Sequence, residues 1–189
     1  MMDIIYKLLN LKEDAMAIIQ NIPIEFVQDH VNWHSYPGYM DKKGRRVIPW
    51  PEGSAEPAKG SGREFLEWYH TYLEKFYSWV QDLPENERPH PESIAPWTEI
   101  PFAMKTSMLD WNAQLAAEEE KTRRLGAFAT LDDLGIFIEW KFNGWLHKTA
   151  ALLWNEPILI SLESPKSTYF WQLHGLFDHW MKQWQGMHF

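Results

Sequence analysis

Apolar side chains recur at helical spacing along much of this chain. Residues 3–19 carry them on one face, and Pro23 follows as a stop signal. Residues 63–83 carry a broader stripe that is rich in aromatic side chains, and Pro84 ends it. The pattern therefore predicts an amphipathic helix in each of these two stretches.

Three further helices are predicted in the second half of the chain. The first covers residues 102–124, the second covers residues 130–154 with Thr130 as a capping residue, and residues 164–168 introduce the last one. No internal repeat, heptad run or alternating strand pattern competes with them. The prediction is a mainly α fold, a helical bundle with long irregular loops.

Two connections stand out because they are long. Residues 31–62 are rich in proline, glycine, serine and charged side chains, and residues 84–101 are rich in proline. Loops of such length in compact domains are often functional. The sequence does not decide whether the first of them covers a pocket or contacts another protein.

The composition describes one folded domain, which we place at residues 1–189. A chain of 189 residues can bury a sizeable core, and 12 Trp, 10 Phe and 7 Tyr supply large side chains for it. The net charge of −8 argues against a nucleic-acid partner, because the phosphate backbone is also negatively charged. The absence of cysteine excludes disulfides and thiolate metal sites.

The amino terminus and the apolar stretches determine the expected location. The first residues do not have the pattern of a signal peptide, and residues 150–162 are too short and too polar to cross a bilayer. We therefore expect a cytoplasmic protein with no membrane association.

The predicted last helix holds the most specific motif. Phe170 and Trp171 precede His174, Asp178 follows that histidine by four residues, and a Trp-Gln pair comes near the end at residues 184–185. This order resembles the second copper-site helix of the tyrosinase and hemocyanin family. The resemblance implies four core helices whose facing side chains enclose a pair of copper ions.

Other segments resemble the same family more weakly, so that the similarity covers about residues 63–185. In residues 65–76, which resemble the first copper-site helix, Tyr69 aligns with a copper-binding histidine and His70 with an arginine. In residues 139–147, Phe142 takes the place of one histidine, and His147 lies one residue beyond the place of another. Two short segments, 95–99 and 164–171, resemble further family motifs.

The histidines fall short of the set that the family uses. A coupled pair of copper ions needs six positioned neutral imidazoles, and only His174 lies in register. A single copper held by His174 and His147 with His34 or His70 is the candidate metal site, with Asp178 orienting His174. The alternative is that these histidines form hydrogen bonds in an aromatic helix interface and that no metal is bound.

A second candidate for metal binding lies earlier in the chain. His30 and His34 are four residues apart, which would place both imidazoles on one face of a helix. The segment is bounded by Pro23 and Pro37, so a loop with exposed histidines is an equal alternative.

Two functional hypotheses follow. The first is a tyrosinase-like scaffold with a degenerate copper site, metal-poor or non-catalytic, in which Tyr69 and Phe142 replace ligands and a small aromatic molecule or a protein partner binds. The alternative is an active copper-dependent oxidoreductase that acts on phenol-like substrates.

Overall fold

Helices account for most of the residues that the computed structural model describes, namely 17–35, 57 and 59–188. The mainly α prediction is confirmed. Strand-like pairing in this part of the chain is limited to one antiparallel bridge between Ile18 and Ser167. The α-helices are α1 (Ile24–Ser35), α2 (Ser61–Asp82), α3 (Pro91–Ile94), α4 (Ala113–Thr122), α5 (Leu131–Ile138), α6 (Gly144–Leu153) and α7 (Thr168–His188).

Shorter helical turns complete the connections. A five-residue π-helical turn, Glu139–Asn143, joins α5 directly to α6. The 3₁₀ turns are Glu85–Glu87, Phe102–Met104, Ser107–Leu109, Leu125–Ala127, Pro157–Ile160 and Ser164–Lys166. None of the described helices is both long enough and apolar enough to cross a membrane.

The predicted boundaries hold best for the aromatic helices. Helix α2 was expected at residues 63–83 and lies at Ser61–Asp82. The helix expected at residues 130–154 is present as α5 and α6, with the π turn between them. Thr130 forms the capping box at its start, with its hydroxyl accepting from the Asp133 backbone N–H.

Three predicted elements differ from the structure. The helix expected at residues 102–124 is shortened to α4, because Asp110 adopts a left-handed conformation (φ 62°) and Asn112 caps a new start. Of the helix expected at residues 3–19, only 17–19 are described, and there the chain is a bend and a bridge. Both ends of the loop expected at residues 31–62 belong to α1 and α2, and its residues 36–56 and 58 lie outside the described part.

Helices α2 and α5 cross with their backbones in contact. A Cβ atom added to Gly135 would lie 1.9 Å from the carbonyl oxygen of Gly62, and one added to Gly62 would lie 2.2 Å from the carbonyl oxygen of Asp132. The Asp132 carboxylate also accepts hydrogen bonds from the backbone N–H groups of Gly60 (2.8 Å) and Gly62 (2.9 Å). These bonds cap the start of α2, where several N–H groups lack partners within the helix.

Aromatic side chains fill the space between α1, α2 and α7. The rings of Phe76 and Trp171 are stacked with centroids 3.6 Å apart, and Phe26 meets the Trp171 ring edge-on at 5.7 Å. The Trp171 indole N–H donates to the Pro165 carbonyl at 2.8 Å, so its polar atom is satisfied. This packing holds α1 against the other two helices and positions the histidines described next.

Candidate functional site

Four imidazoles and one phenol form two adjoining groups in the interior. His30 and His34 come from α1, Tyr69 from α2, His147 from α6 and His174 from α7. The Nε2 atoms of His30 and His34 lie 3.1 Å apart, and those of His147 and His174 lie 3.2 Å apart. We call these five residues the histidine cluster.

Helix α1 is the element that brings His30 into the cluster. The structure resolves the choice between helix and loop in favour of a helix over Ile24–Ser35, so His30 and His34 share one face. The helix is held by Trp33, which stacks on Trp68 of α2 with centroids 4.8 Å apart. His30 was not among the preferred metal candidates, although its four-residue spacing from His34 was the signal that could identify it.

Tyr69 connects the two groups. Its ring stacks on His174 with centroids 3.8 Å apart and planes 10° from parallel. Its hydroxyl oxygen lies 3.3 Å from Nε2 of His34 and 3.4 Å from Nε2 of His30. Tyr69 thus lies inside the cluster, in contact with residues of both groups.

His147 reaches the cluster after the π turn. A π-helical turn holds one residue more than an α-helical turn, so it rotates the following residues relative to a regular helix. The resemblance predicts a histidine one residue before His147, and a single π turn shifts the helical phase by one residue. The turn itself, Glu139–Asn143, lies four residues before His147.

Two of the imidazoles are anchored by the same loop. His30 Nδ1 donates to the Leu162 carbonyl at 2.9 Å, and His147 Nδ1 donates to the Leu159 carbonyl at 2.6 Å. Because a carbonyl can only accept, both Nδ1 atoms carry the proton. In the neutral ring each Nε2 then holds a lone pair directed into the cluster.

Burial keeps these imidazoles neutral. It lowers the pKa of His30 to about 3, with a further lowering from the neighbouring His34, and it lowers the pKa of His147 to about 4. The pKa of His174 is also well below its usual value, first because of burial and then because of His147, His30 and His34. At neutral pH His30, His147 and His174 therefore present uncharged nitrogen donors and acceptors.

Asp178 does not orient His174 as expected. Its carboxylate binds His70 Nδ1 at 2.7 Å and the Lys182 ammonium at 2.8 Å. Within the described part of the chain, the buried His174 Nδ1 has no hydrogen-bond partner. His174 points into the core while Asp178 points to the partly exposed side of α7, which also places His70 outside the cluster.

Phe142 occupies apolar core rather than the cluster. Its ring is fully buried and lies 5.6 Å from the Phe137 ring and 5.7 Å from the Trp180 ring, measured between centroids. The side chain therefore fills space between α5 and α7, where an imidazole would leave polar nitrogens among aromatic rings.

Replacing Phe142 with histidine is expected to destabilise the metal-free protein by about 3 kcal/mol, because a buried aromatic body is lost and a polar group is buried instead. Urea unfolding at neutral pH measures the change. Phe102→His is the matched control, since Phe102 is 87% exposed and should change stability little. Equal stability of Phe142→His and the native protein would contradict this assignment.

A cavity of about 480 Å³ opens onto the cluster. Its wall includes His30, His34, Tyr69 and His147. Asn143 from the π turn also lines it, and the buried Oδ1 atom of this side chain has no hydrogen-bond partner among the described residues. Apolar side chains complete the wall, namely Leu159, Ile160 and Leu162.

The predicted metal trio is divided between the two groups. His34 lies with His30 and Tyr69, whereas His147 lies with His174. Across residues 17–35, 57 and 59–188, no three histidine, aspartate or glutamate side chains are arranged to hold a metal ion. The cluster supplies four imidazoles, fewer than the six that a coupled pair of copper ions requires.

Comparison with protein-family models, with curated proteins and with solved structures gave no match for this chain. The resemblance to tyrosinases and hemocyanins therefore rests on the sequence motifs alone and stays a prediction.

Proposed function

We propose that this chain is a tyrosinase-like helical scaffold with a degenerate copper site, and that its cavity binds a small aromatic molecule carrying a hydrogen-bond donor. The observation that carries the proposal is the cavity wall, in which the neutral imidazoles of His30 and His147 and the buried Asn143 oxygen lie beside aliphatic side chains. Pockets of this mixed character and of a few hundred Å³ are typical of small-molecule sites.

The donor requirement follows from the polar atoms. His30 and His147 direct lone pairs inward because their Nδ1 protons are held by backbone carbonyls. The Asn143 Oδ1 atom adds another acceptor. A phenol O–H would supply a donor to the Asn143 oxygen, and its ring would contact Leu159 and Ile160. A ring without a donor would leave that oxygen with no hydrogen-bond partner among the described residues, which costs affinity.

A coupled dicopper centre does not fit this donor set. Tyr69 and Phe142 occupy two places that the resemblance assigns to histidines, and Phe142 cannot coordinate a metal at all. The shortage of imidazoles supports a binding function over oxygen activation. Copper-dependent oxidation of phenols is the alternative, and the contact between His147 and His174 is the feature that favours it.

Phenol is expected to bind at least about tenfold more tightly than anisole, because the methyl ether lacks the donor and tenfold corresponds to only about 1.4 kcal/mol. Ligand-observed NMR titration of the native protein measures both affinities. Ile160→Trp should weaken phenol binding about tenfold or more by filling the mouth of the cavity. Ile24→Trp is the matched control, because Ile24 is exposed to a similar extent (64%, against 66% for Ile160) and lies away from this wall.

Equal affinity for phenol and anisole, or no binding of either, would contradict the proposal. Oxidation of phenol by the copper-loaded protein, lost in His174→Ala, would favour the oxidoreductase instead.

A further inference from the structure

A second cavity, of about 740 Å³, lies between three segments that do not contribute to the histidine cluster. Residues 17–21 form its first wall, residues between 87 and 93 form the second, and the start of α7 forms the third. It shares no lining residue with the cavity of about 480 Å³ that opens onto the cluster. A ligand could therefore occupy either cavity without the other.

Hydrogen bonds connect the three walls. The Thr168 N–H donates to the Ala17 carbonyl at 2.6 Å, which ties α7 to the first wall. The Gln172 amide donates to the Glu92 backbone carbonyl at 3.1 Å, and the Asn21 amide donates to another carbonyl of the second wall at 3.4 Å. Because these bonds already exist, a ligand does not have to order the walls when it binds.

Tyr169 gives the cavity an aromatic surface. Its ring stacks on the Trp154 ring with centroids 4.3 Å apart and planes 10° from parallel, which fixes its orientation. The side chain is partly exposed and lines the cavity, together with Ile18, Ile19 and Pro89. A bound molecule thus has apolar surface to contact as well as polar groups.

Three polar side chains of the wall are available to a ligand. Thr168 is only 8% exposed and lines the cavity, yet its hydroxyl forms no hydrogen bond with any described residue. The Glu87 and Glu92 carboxylates form no ion pair within the described part of the chain. A carboxylate only accepts hydrogen bonds, whereas a hydroxyl both donates and accepts. A matching ligand must therefore present several donors and at least one acceptor.

The charges around the cavity favour an ion of neither sign. Arg88 lines it, but the guanidinium donates through Nε to the Leu83 carbonyl at 2.8 Å and through Nη2 to the Gln81 carbonyl at 2.7 Å. The start of the 21-residue helix α7 adds a partial positive charge beside Thr168. An anion would meet the two carboxylates, and a cation would meet the guanidinium and the helix end. A neutral ligand that carries hydroxyl groups avoids both conflicts.

We propose that this cavity binds a carbohydrate, namely a neutral pyranose with equatorial hydroxyl groups such as a glucoside. Each sugar hydroxyl both donates and accepts, so one molecule can donate to the carboxylates and pair with the Thr168 hydroxyl. Equatorial hydroxyls leave C–H groups on the faces of the sugar ring, and one such face can pack on the Tyr169 ring. The volume lies within the range of small-molecule sites and leaves room for bridging water.

Saturation-transfer NMR of the full-length protein with methyl β-glucopyranoside tests the site. We expect binding with a Kd in the millimolar range. The ring protons on one face of the sugar should receive more saturation than those on the other face, because only one face contacts the tyrosine.

Two substitutions locate the sugar in this cavity. Glu92→Ala should weaken binding about tenfold and Thr168→Val about fivefold, because each removes a hydrogen-bonding group and the first group is charged. Glu85→Ala is the matched control, because Glu85 is exposed in the same connection but does not line the cavity. Ile160→Trp should leave glucoside binding unchanged, and Glu92→Ala should leave phenol binding unchanged, since the two cavities share no wall.

The proposal is overturned if the glucoside gives no saturation transfer, or if its affinity is unchanged in both Glu92→Ala and Thr168→Val. Loss of glucoside binding in Ile160→Trp would place the sugar in the other cavity and would also overturn it. Butylammonium and inorganic phosphate are the ionic probes. Tighter binding of either than of the glucoside, weakened by Thr168→Val, would assign the cavity to an ion instead.

Discussion

Gly135→Ala is expected to destabilise the protein by about 4 kcal/mol or more, at the upper end of the effect of single substitutions. The added Cβ would lie 1.9 Å from the Gly62 carbonyl oxygen and also within 3 Å of two further Gly62 backbone atoms. These atoms belong to the backbone of α2 and cannot rotate away, so α2 and α5 would have to separate. The separation would also stretch the bonds from the Asp132 carboxylate to the start of α2.

Gly144→Ala is the matched control for this prediction. Gly144 lies at the start of α6, and a Cβ atom added there would meet no atom within 4 Å. Alanine should therefore raise stability by about 0.5–1 kcal/mol through helix propensity. Urea unfolding of both variants at neutral pH measures the difference. A Gly135→Ala protein as stable as the native one would show that α2 and α5 do not cross at backbone contact.

The sequence predicts both helices, but it does not predict that their backbones are in contact at Gly62 and Gly135. Periodic aromatic and aliphatic positions located α2 to within two residues, because such a stripe has few alternatives to burial. Gly62 and Gly135 are far apart in the chain, and neither has a positive φ that would mark it as a turn. Their importance arises only from the tertiary contact.

The cluster was predictable in part for a similar reason. His174 stands in a distinctive motif, and the sequence predicts His147 with His34 or His70 as its partners, since spacing along a helix can be inferred from sequence. The side-chain directions could not be inferred. Asp178 is four residues from His174, yet it binds His70 and Lys182 because the two side chains leave α7 towards different surroundings.

The π turn could not be predicted from the spacing of residues along the sequence. A regular helix through residues 130–154 would rotate His147 away from its observed position relative to α5, because one extra residue changes the helical phase by about 100°. The single turn Glu139–Asn143 also directs Asn143 into the cavity. Propensity rules do not distinguish such a turn from an α-helix, and so its effect on the site emerges only in the structure.

Acid is expected to unfold the metal-free protein, with a loss of about 5 kcal/mol of stability between about pH 7 and pH 5. Burial lowers the pKa of His30 to about 3 and of His147 to about 4, and it lowers the pKa of His174 as well, whereas in the unfolded chain each has a value near 6.5. Below pH 6.5 the unfolded chain therefore binds three protons that the folded cluster excludes. The unfolding free energy must fall as the pH falls.

The sign and the range of this effect follow from the direction of the shifts. Above the unfolded value of 6.5 the histidines are neutral in both states and contribute no pH dependence. Below it each contributes a slope of about 1.4 kcal/mol per pH unit until the folded pKa is reached. The Glu156 carboxyl acts in the opposite direction, because burial raises its pKa and protonation then favours the folded state. Its contribution to stability opposes that of the histidines only near the pH at which carboxyl groups titrate.

The slope of stability against pH is the quantity to measure, by urea unfolding at several pH values with a chelator present. His147→Gln should reduce that slope by about one third, whatever its effect at neutral pH, because one of the three excluded protons is lost. His90→Gln is the control, because this histidine is exposed and its replacement should leave the slope unchanged. Constant stability from neutral pH to about pH 5 would mean that these imidazoles are solvated, and the neutral state of His30 and His147 on which the proposed function depends would have to be abandoned.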